Sequence, residues 1–166
     1  GNNVDLELNE LNYNSTLEII NGQLDFPRPV QDNMSLFVVF KTAYTNSNAN
    51  WRNQPGIMTA EFVGTTDDYG ITMSGGIVIW GHDNTNEAAI SSPSALNNSE
   101  AQLIQVDRVS ASGASNMRGN GNLLGTGTTQ TGTVGDAASM GRSDSQGALN
   151  GRLPIWEICV GRVGSQ

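Results

Sequence analysis

The sequence predicts an all-β protein: a sandwich of two antiparallel sheets within one domain. Three observations predict it. First, short apolar strands are cut by glycine turns, as in Tyr69-Gly70-Ile71-Thr72-Met73, then Ser74-Gly75-Gly76, then Ile77-Val78-Ile79-Trp80. Second, a long apolar strand, Pro154 to Val163, closes the chain after the Asn150-Gly151 turn. Third, no segment shows the apolar spacing of an amphipathic helix three turns long.

The elements follow in order. Val4 to Leu8 and Thr16 to Ile20 are short strand signals, with Asn21-Gly22 as a turn and Pro27 and Pro29 as an extended lead-in. Met34 to Thr42 is apolar on both faces and is expected at the centre of a sheet. Ala43 to Pro55 reads as an Asn-rich polar loop. Ile57 to Val63 is a strand, and Tyr69 to Met73 pairs with Ile77 to Trp80 as a hairpin. Ala88 to Ser91 is a short strand inside a polar stretch.

Gln102 to Ser110 alternates, with Leu103, Gln105, Asp107 and Val109 on one face and Ile104, Val106 and Arg108 on the other. Asn116 to Gly119 and Asn122 to Gly125 flank Asn120-Gly121, a strong hairpin signal. Thr126 to Asp136 is Gly/Thr-rich and is expected to be a surface loop. Ala138 to Arg142 is a short strand. About eleven or twelve strands result, the spacing of a sandwich. The domain reading is an N-terminal arm, 1–33, with one or two edge strands, followed by the sandwich proper, 34–166.

Composition sets the boundaries of function. The 166 residues suffice for one domain with a core. The net charge of −8 argues against nucleic acid, whose phosphates need a cationic face. No apolar run approaches the roughly 20 residues that span a bilayer, so no membrane insertion is expected. Cys159 is the one cysteine, which leaves no intrachain disulfide. No signal peptide is read at the start, and Gly1 in place of Met is expected of a processed chain or a piece of a longer one.

Four stretches resemble the concanavalin A-like lectin/glucanase superfamily in its laminin-G-like form. Met34 to Lys41 resembles the opening strand. Glu61 to Gly81, with Asp68-Tyr69-Gly70-Ile71 and Ile79-Trp80-Gly81, resembles the central block. Met117 to Leu124 resembles the Asn-Gly hairpin, and Arg118-Gly119 departs from its aromatic-aliphatic pair. Met140-Gly141-Arg142, Leu149 to Arg152 and Ile155 to Ile158 resemble the closing pair. The resemblance implies a jelly roll. Similar domains occur in phage tail fibres, virion decoration proteins and bacterial surface adhesins, so it implies an extracellular place on a virion or cell surface. Many members hold Ca²⁺ near the rim.

Candidate chemistry is sparse. The Glu-x-Asp-x-x-Glu strand of the glucanase branch is missing, and Glu61 and Glu157 each stand alone in a strand. His82 sits in a turn context and no Gly-x-Ser-x-Gly elbow exists. Cys159 lies in an apolar strand, where cysteine acts as a small hydrophobe. Asp67, Asp68, Asp83 and Glu87 are loop acids, read either as solvated or as Ca²⁺ ligands. For glycans, Trp51, Tyr44, Asn50 and Arg52 form the candidate set. Trp51 stands in a polar loop, as a ligand contact, a subunit contact or a loop anchor. Trp80 and Trp156 are expected in the core.

The expected function is a non-catalytic structural or adhesive module, with cell-surface glycans, other copies of itself or virion and surface proteins as partners. A purely structural subunit and a β-glucanase-like hydrolase are the alternatives. The sequons at Asn14, Asn33 and Asn97 carry meaning only in a eukaryotic host.

Overall fold

The computed structural model describes residues 3–11, 14–20, 24–26, 33–43, 45, 51–54, 56–60, 68–82, 88–132, 138–140, 142–143, 147–148 and 152–161. Fifteen strands are described, and they form an all-β sandwich. They are β1 (Asn3–Leu11), β2 (Asn14–Ile20), β3 (Leu24–Phe26), β4 (Met34–Phe40), β5 (Gly56–Ala60), β6 (Tyr69–Ser74), β7 (Ile77–His82) and β8 (Ala88–Ser91). Then come β9 (Gln102–Arg108), β10 (Ala114–Gly119), β11 (Asn122–Thr128), β12 (Ala138–Met140), β13 (Arg142–Ser143), β14 (Gly147–Ala148) and β15 (Arg152–Gly161). A 3-10 turn over Trp51–Asn53 is the one helical element among the described residues.

Two sheets form the layers. The seven-stranded sheet runs β1-β2-β15-β4-β9-β10-β11, and the six-stranded sheet runs β3-β12-β5-β6-β7-β8. Their described pairings are antiparallel. β13 and β14 make a small hairpin of their own.

Alternation explains the core. Met34, Leu36, Val38 and Phe40 of β4 face inward, as do Ile104 and Val106 of β9 and Met117 of β10. Tyr69, Ile71, Met73, Val78 and Trp80 meet them from β6 and β7. The Tyr69 and Trp80 rings pack at 5.9 Å in a tilted pair. β4 lies between β15 and β9, the central place its two apolar faces called for.

Turn chemistry fixes the hairpins. Gly75 and Gly76 have φ of +56° and +87°, and Asn120 and Gly121 have +50° and +84°. Two successive left-handed residues give the primed turn that suits twisted strands. Asn120 is also hooked to β9. Its backbone N–H donates to the Leu103 carbonyl, and its Oδ1 accepts from the Leu103 N–H, both at 2.8 Å.

The structure corrects two readings of the sequence. Thr126 to Thr128 is not loop but the end of β11, paired with β10 as far as Thr128↔Ala114. Its glycines carry the explanation. A Cβ on Gly125 would press on Ile90, and one on Gly127 would fall 2.3 Å from the Ala89 carbonyl oxygen. These two positions let β11 and β8, the edge strands of the two sheets, close on each other. The Gly-Thr alternation is thus a strand pattern with a bare inner face. β3 was missed because Pro27 and Pro29 masked a three-residue strand. Of the N-terminal strands, β2 pairs with β15 and β3 with β12.

Candidate functional site

The two outward sheet faces must be built separately. On β6 and β7 the residues that alternate with the core are Gly70, Thr72, Ile79 and Gly81. Thr72 and Ile79 are buried all the same. Register aligns Thr59, Gly70 and Gly81 across three strands. The 3-10 turn lies over that row. A Cβ on Gly81 would sit 2.0 Å from the Trp51 indole, and one on Gly70 would meet the same ring at 3.1 Å. The glycines form a bare trough, and the indole fills it.

Trp51 is accordingly 0% exposed. Its ring has no open face for a sugar, so the geometry supports the loop-anchor role among the three roles open to it. Arg52 adds an ion pair to the same anchor, reaching the buried carboxylate of Asp68 at 3.4 Å. The glycan candidate Arg52 and the calcium candidate Asp68 therefore meet each other. A carboxylate already facing a guanidinium is a poor ligand for a cation. Tyr44, Asn50, Asp67, Asp83 and Glu87 lie outside the described residues. Among the described residues no three His, Cys, Asp or Glu side chains gather as a metal site.

The outward face of the seven-stranded sheet is different. Over β4, β9 and β10 it presents Ser35 and Phe37, then Gln105 and Asp107, then Asn116 and Arg118, all partly exposed. Register puts Ser35, Asp107 and Asn116 in one row, and Phe37, Gln105 and Arg118 in the next. With neighbouring strands ~4.8 Å apart and alternate residues ~6.8 Å apart, this is the footprint of a few sugar rings.

Asp107 organises the patch. It accepts from Ser35 Oγ at 2.7 Å, from Gln105 Nε2 at 2.9 and 3.0 Å, and from Arg118 Nη1 at 2.8 Å. One carboxylate thereby fixes three side chains on three strands. At 25% exposure for Asp107 and 36% for Arg118, the cluster stays in reach of solvent. The Asn116 amide stands next to it and makes no hydrogen bond among the described residues. Phe37 adds a partly exposed aromatic ring one row away. Leu123, 58% exposed, lies beside Arg118 on β11.

This face was missed at the sequence level. The signal was present in the alternation of Gln102 to Ser110, which put Leu103, Gln105 and Asp107 together on one side. In the sequence Arg118 stands out only as a departure from a motif. Nothing local shows that Ser35, Asp107 and Arg118 meet, because the contacts span up to 72 residues.

Architecture and face together define a jelly-roll β-sandwich presenting an ordered polar and aromatic patch. No protein-family model and no curated protein sequence matches the chain. Solved structures do match it. The chain is similar to domain 4 of AbnA, a GH43 extracellular arabinanase from Geobacillus stearothermophilus, in complex with arabinotriose (TM-score 0.68, 11% identity, 95% of this chain and 76% of that one). It is similar to the IT-sialidase CBM40 of Ruminococcus gnavus bound to α2,3-sialyllactose (TM-score 0.60, 14% identity, 82% and 79%). It also resembles domains LG4-5 of the mouse laminin α1 chain (TM-score 0.63, 14% identity, 84% and 39%). Identities this low establish a shared fold. Among the described residues no helix is long and apolar enough to cross a membrane.

Proposed function

We propose that this chain is a non-catalytic glycan-binding module that works outside the cell and binds through the outward face of its seven-stranded sheet. The observation that carries the reading is the Asp107 cluster: four polar side chains from three strands, held in place before any ligand arrives, beside a partly exposed Phe37. Such preorganisation lowers the entropy lost on binding. Aromatic rings take the C–H faces of sugars, and fixed amide, carboxylate and guanidinium groups take the hydroxyls. Neighbours with the same fold that hold arabinotriose or sialyllactose support the class of ligand.

The catalytic alternative gains no support from the two ion-paired carboxylates, Asp68 and Asp107. Asp68 is spent on Arg52 against the six-stranded sheet, and Asp107 stands on the other sheet. Glycoside hydrolysis requires two carboxyl groups facing one bond. Placement on a virion or a cell surface is the setting we propose, where many copies would turn weak single contacts into firm attachment.

The test is affinity electrophoresis and a glycan array with the wild type and Phe37→Ala. We expect at least one glycan to retain the wild type, and Phe37→Ala to weaken that retention at least about tenfold, the loss of an aromatic contact worth ~1.4 kcal/mol. A folded wild type that no glycan retains would end the reading.

A further inference from the structure

Four basic side chains, Lys41, Arg52, Arg108 and Arg118, are committed to partners. Arg52 pairs with Asp68. Arg108 is 1% exposed and donates to the Gln130 and Gly132 carbonyls at 2.6 and 2.9 Å. Arg118 pairs with Asp107. Lys41, one residue past β4, has an interaction of its own. On the patch itself the charges cancel, with one carboxylate against one guanidinium at 2.8 Å.

The strands that complete the same sheet push further in that direction. The sequences of β1, β2 and β15 contain Asp5, Glu7, Glu10, Glu18 and Glu157 and one basic residue, Arg152. The chain as a whole carries −8. An anionic ligand approaching this sheet would meet a neutral patch on a chain of net negative charge.

Resting on the glycan-binding reading above, we infer that the ligand of this face is an uncharged glycan held by its hydroxyl groups, and that carboxylated, sialylated and sulfated chains are rejected. The free groups suit that ligand. The Asn116 amide supplies a donor and an acceptor, and Gln105 Oε1 remains an acceptor after its Nε2 is used on Asp107. Arg118 keeps the N–H groups not spent on Asp107. Hydroxyls both donate and accept, so they satisfy this mixed set without bringing charge. Asp107 then sets specificity twice: it holds the donors in place and cancels the patch's cation, Arg118, which would attract an acid.

The experiment is affinity electrophoresis in gels containing arabinan, mannan or dextran as neutral chains, and polygalacturonate or dextran sulfate as acidic ones. The wild type should be retarded by a neutral chain, with under about twofold change between low salt and ~0.5 M salt, and by neither acidic chain. Asp107→Asn keeps the shape and frees Arg118. It should gain retardation by polygalacturonate at low salt, at least about fivefold over wild type, and lose the gain at ~0.5 M salt. Asp107→Asn combined with Arg118→Gln should not gain it. Thermal melts confirm that each variant is folded. Retardation of the wild type by an acidic chain, alone or beside a neutral one, overturns the inference and leaves the glycan-binding reading standing. A folded Asp107→Asn without any gain overturns the charge-cancelling role of Asp107. Retardation by no chain of either class brings down the glycan-binding reading and this inference with it.

Discussion

The two outward faces of this sandwich have opposite fates. On the six-stranded sheet the protein's own chain closes the face: Trp51 lies in the Gly70-Gly81 trough, and even the outward Thr72 is buried. On the seven-stranded sheet, β4, β9 and β10 leave their outward side chains partly in water. The difference comes from what the strands offer. Glycines at 70 and 81 remove the side chains that would hold a loop away, so a large ring gains full burial. β4, β9 and β10 instead carry Phe37, Gln105, Asp107 and Arg118 outward, and Gln105 and Arg118 donate to Asp107. A tryptophan in a polar loop is thus structural here, and an unremarked strand face is the exposed, ordered surface.

The comparison breaks most readily at Trp51. Trp51→Ala empties the trough and should cost ~3–5 kcal/mol, read as a shift of the urea midpoint. Binding measured below the new melting point should stay within about twofold of wild type, because the ring is on the other sheet. A Trp51→Ala protein of normal stability that lost its ligand would reverse the roles assigned to the two faces.

Gly81→Ala attacks the same contact from below. Its methyl would fall 2.0 Å from the Trp51 ring, a flat group without a flexible end to swing aside. The expected loss is ~1–3 kcal/mol in the same melt, the usual range for overpacking. A neutral Gly81→Ala would mean that the ring can lift from the sheet at little cost.

The fold was legible because its determinants are local. Asn120-Gly121 announces a primed turn by two adjacent residues, and β4 announces its central place by apolar side chains on both faces. The site was not, because its determinants are pairings. Asp107 matters through Ser35 and Arg118, and those neighbours exist only once β4, β9 and β10 are in register. The role of Trp51 stayed open in the sequence for the same reason. Asn50 and Arg52 on either side suggested exposure, while the facts that bury it lie at Gly70 and Gly81 on distant strands. A polar sequence context reports on neighbours along the chain, and burial is decided by neighbours across the sheet.

The smallest expected effect is the sharpest probe of the open face. Asn116 stands in register with Asp107, is half-buried, and holds no hydrogen bond among the described residues. Removing its amide breaks no hydrogen bond among the described residues, so Asn116→Ala should shift stability by no more than about 0.5 kcal/mol. If the amide meets a ligand hydroxyl, the same change should weaken retention about fivefold, the ~1 kcal/mol of one neutral hydrogen bond. Stability and binding then part company at this residue, the reverse of Trp51, where stability falls and binding holds. Unchanged retention of Asn116→Ala on a glycan that Phe37→Ala no longer holds would confine the ligand to the row of Phe37, Gln105 and Arg118 and remove the Ser35-Asp107-Asn116 row from the contact surface.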